Sequence, residues 1–399
     1  MAADNVSFDW LQQPGLTGER LASAGLAAAG QRPLGLDKAW PYRDGGWLAR
    51  AQGADGSWWG LASLRADDLP RPLRDGVKQG KVAFLDADGV FAWRFGDDPA
   101  LALKREGAGS GGDDRRVGSA PVAWPAGTSV LGYKPLYRCV LRAGASPSGE
   151  WIDKIYGGNR DAQAAATYAA LGASDPAGRV LIPQPEAHDG MRGSLRWRVS
   201  AGEPLLDSLG AVPQPGPVRR AAEAIAHLHG REPRWVRRHT LDDELATAAR
   251  WARFAGAASP ALRARLDDAL RALREVAAKL ADGPLVPSHR DFYDKQILLD
   301  GERCVLLDLD MACLAERELD LGNFLAHLHL RELQGRFDGA GLLGIEFTRA
   351  YWAAGGVIEA ERLEFYVACA HLRLACVYLV RPQWTGLAGR LLDCTPHLH

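Results

Sequence analysis

Two clusters of polar and acidic residues lie a short distance apart in the C-terminal half of the chain, at residues 289–296 and 306–310. Between them, two apolar runs flank a turn at Asp300 and Gly301, a pattern that predicts a β-hairpin with carboxylates at both ends. Phosphoryl transfer needs such an arrangement, because one carboxylate orients the attacking hydroxyl while other side-chain oxygens hold the magnesium ion that neutralises the phosphates. The spacing therefore indicates phosphoryl-transfer chemistry on a rigid hairpin.

The first cluster resembles the catalytic loop of the aminoglycoside phosphotransferase and choline kinase families, which are relatives of the protein kinases. In those families a His-x-Asp motif is followed by four residues and an Asn, and this chain has His289, Asp291 and Gln296 at the matching positions. The second cluster resembles their metal-binding segment. The resemblance implies that Asp291 is the catalytic base, that Gln296 and Asp308 bind the metal ion, and that Asp310 assists them.

A third segment, residues 318–323, resembles the Asp-Leu pair that opens the next helix in these families. This match makes Asp320 a structural acid that braces the catalytic loop. Three motifs in the family's order are a specific signal, whereas one alone is a weak signal. The glutamine at position 296 is similar to the form found in maltokinases, and an amide oxygen is a suitable ligand for magnesium. His289 is predicted to hold the loop by hydrogen bonds rather than to transfer a proton.

The resemblance implies an α+β, two-lobed protein kinase-like fold with a β-rich N-terminal extension, a β-rich small lobe and a mostly helical large lobe. The expected boundaries are 1–105 for the extension, 119–202 for the small nucleotide-binding lobe and 203–399 for the helical catalytic lobe. Strand-like patterns support this order. They predict strands at 129–133, 138–142, 151–156, 179–182 and 194–199, with an Ala-rich helix at 161–171.

Outside the small lobe, local patterns predict further elements. The N-terminal extension carries no recognisable motif, but two hairpins are predicted around Asp55-Gly56 and Asp88-Gly89. The Gly-rich segment 106–118 ends in charged residues, which favours a linker over a phosphate-binding loop. In the large lobe, apolar residues recur at helical spacing in the segments 218–229, 241–254, 262–280, 319–333 and 363–379.

The predicted nucleotide-binding residues also follow from the resemblance. Lys154 lies on the third small-lobe strand, where related kinases place the lysine that binds the α- and β-phosphates. Ala201 and Glu203 lie in a segment that resembles the hinge, whose backbone groups hydrogen-bond adenine. The helix glutamate that normally partners the lysine is replaced around Gln163, with Asp161 the nearest acid, and the glycine triad is absent. The implied cofactors are ATP and Mg²⁺.

Composition limits the partners and the compartment. A formal net charge of -1 produces no field that would attract nucleic acid or an anionic membrane, so a small molecule is the expected partner. The six cysteines contain no Cys-x-x-Cys pair, which predicts reduced thiols and a cytoplasmic location. Two His-x-His pairs fall in helical segments, where side chains two residues apart point to opposite sides, so neither pair is expected to bind one metal ion.

Two functional hypotheses follow. The first is an ATP- and magnesium-dependent phosphotransferase that acts on a hydroxyl of a sugar, an aminosugar, an aminoglycoside-like antibiotic or an amino alcohol such as choline. The second is a catalytically weak, pseudokinase-like module that binds a nucleotide or metabolite, which the missing helix glutamate and Gln296 motivate. Glu316, Glu318, Glu332 and Asp338 fit either the attraction of polyamine acceptors or a solvated helical face.

Overall fold

The computed structural model describes residues 35–42, 46–53, 56–64, 69–86, 90–101, 103, 127–146, 149–172, 178–212, 214–232, 234, 237–381, 384 and 386–394. They form two compact units. The first contains the described residues up to Ala162, with Pro185–Val199 and a short segment from Val380, and the second contains Gln163–Gln184, Ser200–Leu379 and the described residues from Trp384 onward. The predicted linker at 106–118 and the predicted turn at Asp88-Gly89 lie outside the described residues.

A five-stranded antiparallel sheet forms the N-terminal part of the first unit, in the order β1-β2-β3-β5-β4. Its strands are Gly35–Tyr42 (β1), Gly46–Gln52 (β2), Trp58–Ser63 (β3), Ala83–Asp86 (β4) and Val90–Arg94 (β5), and the helix Arg71–Lys78 (α1) precedes β4. Strands β2 to β5 confirm the two predicted hairpins. The sequence predictions lack β1 and α1, because Pro41 and charged residues obscure the strand, and a proline and a glycine lie within the helix.

Buried aromatic residues fill this unit. Trp47, Trp59 and Trp93 are each at most 2% exposed. The Trp93 indole N–H lies 2.9 Å from the Tyr133 hydroxyl, which donates a 2.7 Å hydrogen bond to Asp98. Burial raises the pKa of Asp98, although these hydrogen bonds act in the opposite direction. The buried polar groups of Trp93, Tyr133 and Asp98 therefore satisfy one another.

The second sheet of the first unit has the order β10-β11-β8-β7-β6. Its strands are Ser129–Lys134 (β6), Arg138–Ser146 (β7), Gly149–Tyr156 (β8), Ala187–Asp189 (β10) and Ser194–Arg198 (β11), and the helix Arg160–Leu171 (α2) follows β8 as predicted. The prediction that residues 179–182 belong to this sheet is wrong. Val180–Leu181 (β9) instead pairs in parallel with Arg303–Leu306 (β16) in the second unit, where the Cys304 N–H donates to the Arg179 carbonyl at 2.8 Å.

Two smaller sheets lie in the second unit. Glu203–Pro204 (β12), Ile297–Asp300 (β15), β16 and β9 are hydrogen-bonded in the order β12-β15-β16-β9. Arg238–His239 (β13), Leu285–Ser288 (β14) and Cys313–Glu316 (β17) have the order β13-β17-β14. Strands β15 and β16 are the hairpin that the sequence predicts between the acidic clusters. Its turn requires Gly301, because φ is +58° there.

Helices make up most of the second unit. They are Leu205–Leu209 (α3), Pro215–His229 (α4), Leu241–Ala258 (α5), Pro260–Ala277 (α6), Glu318–Leu333 (α7), Ala340–Ala353 (α8), Ala360–Leu379 (α9) and Leu387–Asp393 (α10). All five predicted helical segments are confirmed. Helix α8 escapes prediction because its apolar residues lie on both faces, with Leu342 72% and Trp352 71% exposed. Within the described part, no helix is long and apolar enough to cross a membrane.

The core of the second unit lies around a close contact between α7 and α9. A Cβ atom at Gly322 would lie 2.8 Å from the backbone of Tyr366, so only glycine permits this approach. Cys369 and Cys376 pack in the same core. All six cysteines are free thiols and five are buried, which agrees with the predicted reduced state.

Three side chains from α7, α9 and the residue after α10 meet at the edge of this core. His329 Nδ1 lies 3.3 Å from His371 Nε2, and Cys394 Sγ lies 3.6 Å from His329 Nε2. Burial is the main cause that lowers the pKa of His371 to about 4, and the neighbouring His329 acts in the same direction. His371 is therefore neutral in the folded protein at pH values where an exposed histidine is already protonated.

His371 is expected to make the protein less stable in mild acid. Between a pH of about 6.5 and about 4, the unfolded chain binds a proton at this position that the folded chain excludes, so the free energy of unfolding falls as the pH falls. The loss reaches about 3 kcal/mol, and the full stability is present above this interval. Denaturant unfolding across the interval measures it. His371→Gln should lack this part of the pH dependence, and identical pH profiles for the variant and the wild type would contradict the assignment.

Candidate active site

The loop that carries Asp291 begins where strand β14 ends at Ser288. Strand β14 is held by antiparallel pairing with β17, in which Ser288 lies opposite Cys313. The loop closes in a 3-10 turn, Asp294–Gln296, which leads directly into β15. Its backbone is strained at Arg290, a non-glycine residue with φ of +70°. Such a conformation costs about 1–3 kcal/mol and persists only where neighbouring groups enforce it.

Asp320 provides that enforcement. Its Oδ2 accepts the His289 backbone N–H and its Oδ1 accepts the Arg290 backbone N–H, both at 2.7 Å. The carboxylate is fully buried, and His229 Nε2 lies 3.1 Å from Oδ2. His229 is held in turn by the Tyr351 hydroxyl at 2.8 Å from its Nδ1. The predicted role of Asp320 as a brace for the catalytic loop is confirmed.

His289 links the loop to the second acidic cluster. Its Nε2 donates a 2.8 Å hydrogen bond to the carbonyl of Leu307, the residue before Asp308. The side chain is completely buried, and its Nδ1 has no hydrogen-bond partner among the described residues. Because Nε2 carries the proton in this geometry and the ring has no access to solvent, His289 acts as a structural group. This outcome confirms the prediction that the histidine holds the loop.

The hairpin brings Gln296 and Asp308 to the same end. Ile297 lies opposite Leu306, and the Leu307 N–H donates to the Gln296 carbonyl at 2.8 Å. Gln296 is buried, whereas Asp308 is half-buried. Asp308 adopts a left-handed backbone conformation, with φ of +56°. That conformation leads the chain into the 3-10 turn Leu309–Met311. The Leu309 N–H donates a 3.1 Å hydrogen bond to the Tyr168 hydroxyl.

Acidic side chains lie near the buried phenol of Tyr293. Burial raises its pKa well above the usual value, and the negative charges of Asp291, Asp294 and Asp308 raise it further. The predicted base Asp291 and the predicted metal ligand Asp308 therefore both lie close enough to Tyr293 to affect its phenol. The Tyr293 ring is held in place by stacking on His327, with ring centroids 4.2 Å apart.

Asp294 has a different role from its two acidic neighbours. It is 1% exposed and forms a two-point contact with Arg331, whose Nε lies 3.1 and 3.2 Å from its two carboxylate oxygens. Burial raises the pKa of Asp294 and Arg331 opposes this effect. The pair joins the catalytic loop to α7. Sequence reasoning missed it, because nothing local relates two residues that are 37 positions apart.

The other predicted site residues lie on separate elements. Asp310 is in the 3-10 turn after Asp308, where its carbonyl accepts from Arg237 Nη1 at 3.3 Å. Lys154 is buried in the middle of β8, with its ammonium group 5.0 Å from the centre of the Trp197 ring. Ala201 and Glu203 are exposed in the segment that leads into β12. Their assignments to nucleotide or metal binding remain predictions.

The small-lobe helix carries the two residues that stand near the position of the usual glutamate. Asp161, the nearest acid in the sequence, is buried at the start of α2, and its carboxylate lies 2.9 Å from His188 Nε2. Gln163 is exposed on the same helix. The first turn of α2 therefore has a buried carboxylate that contacts an exposed histidine of β10.

Three acidic residues near the second cluster accept hydrogen bonds from backbone N–H groups or buried side chains of the protein. They therefore neither attract a polyamine acceptor nor form a solvated helical face. Glu316 accepts from Arg362 at 2.6 Å and from the Tyr366 hydroxyl at 2.8 Å. Glu318 accepts the Glu359 N–H at 3.1 Å, and Glu332 accepts the N–H groups that open α8 at 2.7 and 3.1 Å. These contacts correct the expectation that the acids attract a polyamine or form a solvated face.

Several solved structures share this architecture over about two thirds of the chain. A thermostable mutant of the aminoglycoside phosphotransferase APH(4)-Ia, in its apo form, aligns with a TM-score of 0.51 and 14% identity over 67% of this chain and 93% of that chain. A ternary complex of a mutant of the same enzyme with AMP-PNP and hygromycin B gives 0.50 and 13% over 68% and 93%. A choline/ethanolamine kinase family protein from Mesorhizobium loti gives 0.48 and 24% over 68% and 89%. The predicted α+β, protein kinase-like fold is confirmed.

Sequence comparison gives the family. No curated protein matches the chain significantly. The model of the phosphotransferase enzyme family, APH, matches residues 141–360, which is more than half of the chain. The match includes the catalytic loop, the hairpin and the bracing acid Asp320. The chain therefore belongs to the APH phosphotransferase enzyme family, as its resemblance to small-molecule kinases predicts.

Proposed function

We propose that this protein transfers the γ-phosphoryl group of ATP to a hydroxyl group of a small molecule in a magnesium-dependent reaction. The proposal rests on one observation. The negative charges of Asp291 and Asp308 both raise the pKa of the Tyr293 phenol, while the hydrogen bonds of Asp320 and His289 hold the backbone before Asp291 and before Asp308. Phosphoryl transfer depends on positioning and electrostatics more than on covalent chemistry of the protein. A rigid loop with carboxylates in one neighbourhood meets that requirement.

Asp291 is the group proposed to act on the acceptor. It is half-buried, and it follows directly after the two residues whose N–H groups Asp320 holds. A carboxylate within hydrogen-bond reach of a hydroxyl aligns the oxygen with the γ-phosphorus and receives its proton. Since the loop backbone is fixed, Asp291 has little conformational freedom to lose when an acceptor binds.

The donor set fits a magnesium ion. Gln296, Asp308 and Asp310 supply oxygen atoms, which are the ligands that this hard cation prefers. Among the described residues, no three His, Cys, Asp or Glu side chains are arranged to enclose a metal ion. Magnesium does not need such a cage, because it binds through one or two carboxylates together with phosphate oxygens and water. When bound, it would neutralise the nucleotide phosphates.

The proposed nucleotide contacts come from Lys154, Ala201 and Glu203. Lys154 is buried on a central strand of its sheet, at the position where related kinases place the lysine that binds the phosphates. The use of ATP is supported by the family match and by a structural neighbour that binds AMP-PNP. That neighbour also binds hygromycin B, which supports an acceptor rich in hydroxyl groups, such as a sugar, an aminosugar or an aminoglycoside-like antibiotic. Free thiols support the proposed cytoplasmic location.

Replacing Asp291 tests the reaction directly. Asp291→Ala should lower kcat for magnesium-dependent phosphoryl transfer by about 10²–10⁴-fold, because the acceptor hydroxyl loses the group that orients it. ATP affinity and thermal stability should change little. The measurement is ADP release with a panel of sugars, aminosugars and antibiotics. Asp300→Ala, which removes a carboxylate from the turn of the same hairpin, is the matched control and should retain activity.

Unchanged turnover in Asp291→Ala would remove this residue from the proposed role. If the wild type bound ATP but released no ADP with any acceptor, with or without magnesium, the chain would instead be a catalytically weak nucleotide-binding module.

Replacing Asp320 tests the brace. Asp320→Asn substitutes an N–H donor for one of the two oxygens that accept the His289 and Arg290 N–H groups, so buried donors face each other. We expect a loss of about 1–3 kcal/mol in the free energy of unfolding. We also expect kcat to fall while KM for ATP stays near the wild-type value, since the loop and not the nucleotide loses its support. Denaturant unfolding and steady-state kinetics measure both effects, and an Asn variant with wild-type kcat would contradict the proposed positioning role.

A further inference from the structure

The second unit contains a cavity of about 850 Å³ that none of the predicted phosphoryl-transfer residues lines. One wall is α4 from Arg219 onward and another is α8. The third is the edge formed by β9 and β16, including Arg179 and Cys304. A volume of this size is typical of sites for small molecules. The cavity is therefore a candidate binding site separate from the predicted phosphoryl-transfer residues.

Its lining is rich in positive charge. Five arginines contribute to the walls, at positions 179, 219, 220, 231 and 349. Three glutamates oppose them, at positions 223, 302 and 346, so the formal charge of the lining is positive by two. This local excess contrasts with the net charge of -1 of the whole chain. A concave surface with such an excess attracts small anions.

Hydrogen bonds to main-chain carbonyls orient two of the arginines. Arg220 Nη1 donates to the Gly301 carbonyl, and Arg231 Nη1 donates to the Leu171 carbonyl. A carbonyl oxygen carries no formal charge, so this bond fixes the direction of the Arg220 guanidinium group without cancelling its positive charge. Arg179 forms no side-chain hydrogen bond or ion pair with any residue that the structure describes. Arg219 differs from them, because its Nε donates to Glu346 at 2.9 Å.

We propose that this cavity binds a small molecule that carries a phosphate group, and that its occupancy steadies the brace of the catalytic loop. Guanidinium groups present parallel N–H donors that match phosphate oxygens, and charge-assisted hydrogen bonds of this kind are stronger than neutral ones. Arg179, beside β9, and Arg220, on α4, are the principal anion ligands. Cys304 contributes packing only, because burial raises the pKa of its thiol to about 12.

The same two helices form the cavity and hold the catalytic loop. His227 and Ala350 line the cavity on α4 and α8. Nearby on each helix, His229 and Tyr351 form the hydrogen bond that supports Asp320. A ligand that contacts both helices would oppose their separation. It would thereby protect the backbone N–H groups that Asp320 accepts.

The test uses the full-length chain with inorganic pyrophosphate as the probe, in the presence of EDTA so that magnesium-dependent binding elsewhere is suppressed. Isothermal titration calorimetry should show saturable binding with a Kd of about 1 mM or tighter. The double variant Arg179→Ala/Arg220→Ala should weaken binding at least about tenfold, equivalent to about 1.4 kcal/mol. Arg271→Ala, which removes an exposed arginine on α6 that pairs with Asp268, should bind like the wild type. So should Lys154→Ala.

Hydrogen exchange measures the second part of the proposal. Pyrophosphate should slow exchange of the His289 and Arg290 amides in the wild type and in Lys154→Ala, but not in the double variant. The single variant Arg179→Glu removes no side-chain hydrogen bond or ion pair among the described residues, so the fold should be kept, and thermal unfolding of the variant checks this.

Three results would each overturn the proposed site. They are failure of the wild type to bind pyrophosphate, binding as tight as that of the wild type in both the double variant and Arg179→Glu, and loss of binding in Lys154→Ala. Unchanged amide exchange upon saturation would overturn its connection to the catalytic loop. Neither result would affect the phosphotransferase proposal, which the Asp291 variant tests separately.

Discussion

The carboxylate of Asp320 is the interaction on which the rest of the candidate site depends. It accepts two consecutive backbone N–H groups, from His289 and Arg290, at 2.7 Å each. It also lies 3.1 Å from His229, so α4 takes part in the same contact. A fully buried carboxylate is costly unless its oxygens are satisfied, and here each oxygen has a donor. The requirement to satisfy this charge thus fixes the backbone conformation directly before Asp291.

Two left-handed residues show how that fixed frame is used. Arg290 and Asp308 are non-glycine residues with φ of +70° and +56°. Arg290 directly precedes Asp291, and Asp308 is itself one of the acidic residues of the site. The intervening hydrogen bond from His289 to the Leu307 carbonyl ties the two strained positions together. Strain of about 1–3 kcal/mol per residue is tolerated at functional sites when neighbouring groups determine the geometry. The resulting concentration of negative charge is consistent with a site that receives a divalent cation.

Much of this arrangement could be predicted from sequence, because its motifs are local. The β15–β16 hairpin has apolar runs around a turn glycine, and Asp291, Asp308 and Asp320 follow one another at spacings that resemble a known family. The partners of these residues could not be predicted, because they come from distant positions, as Asp294 and Arg331 do. The same limitation explains the misplaced strand β9, whose pairing with β16 depends on tertiary contacts rather than on its own residues. The internal hydrogen bonds of Glu316 and Glu332 were missed for the same reason, since charge patterns do not indicate which acids bond to groups within the protein.

The most direct test of the account is a crystal structure of the chain grown with AMP-PNP and Mn²⁺, in which anomalous scattering locates the metal ion. The account predicts an ion with the Asp308 carboxylate and the Gln296 amide oxygen at about 2.1 Å, and with Asp291 nearby but outside the coordination shell. A metal ion bound away from Asp308, or a Gln296 side chain that points away from it, would contradict the central claim.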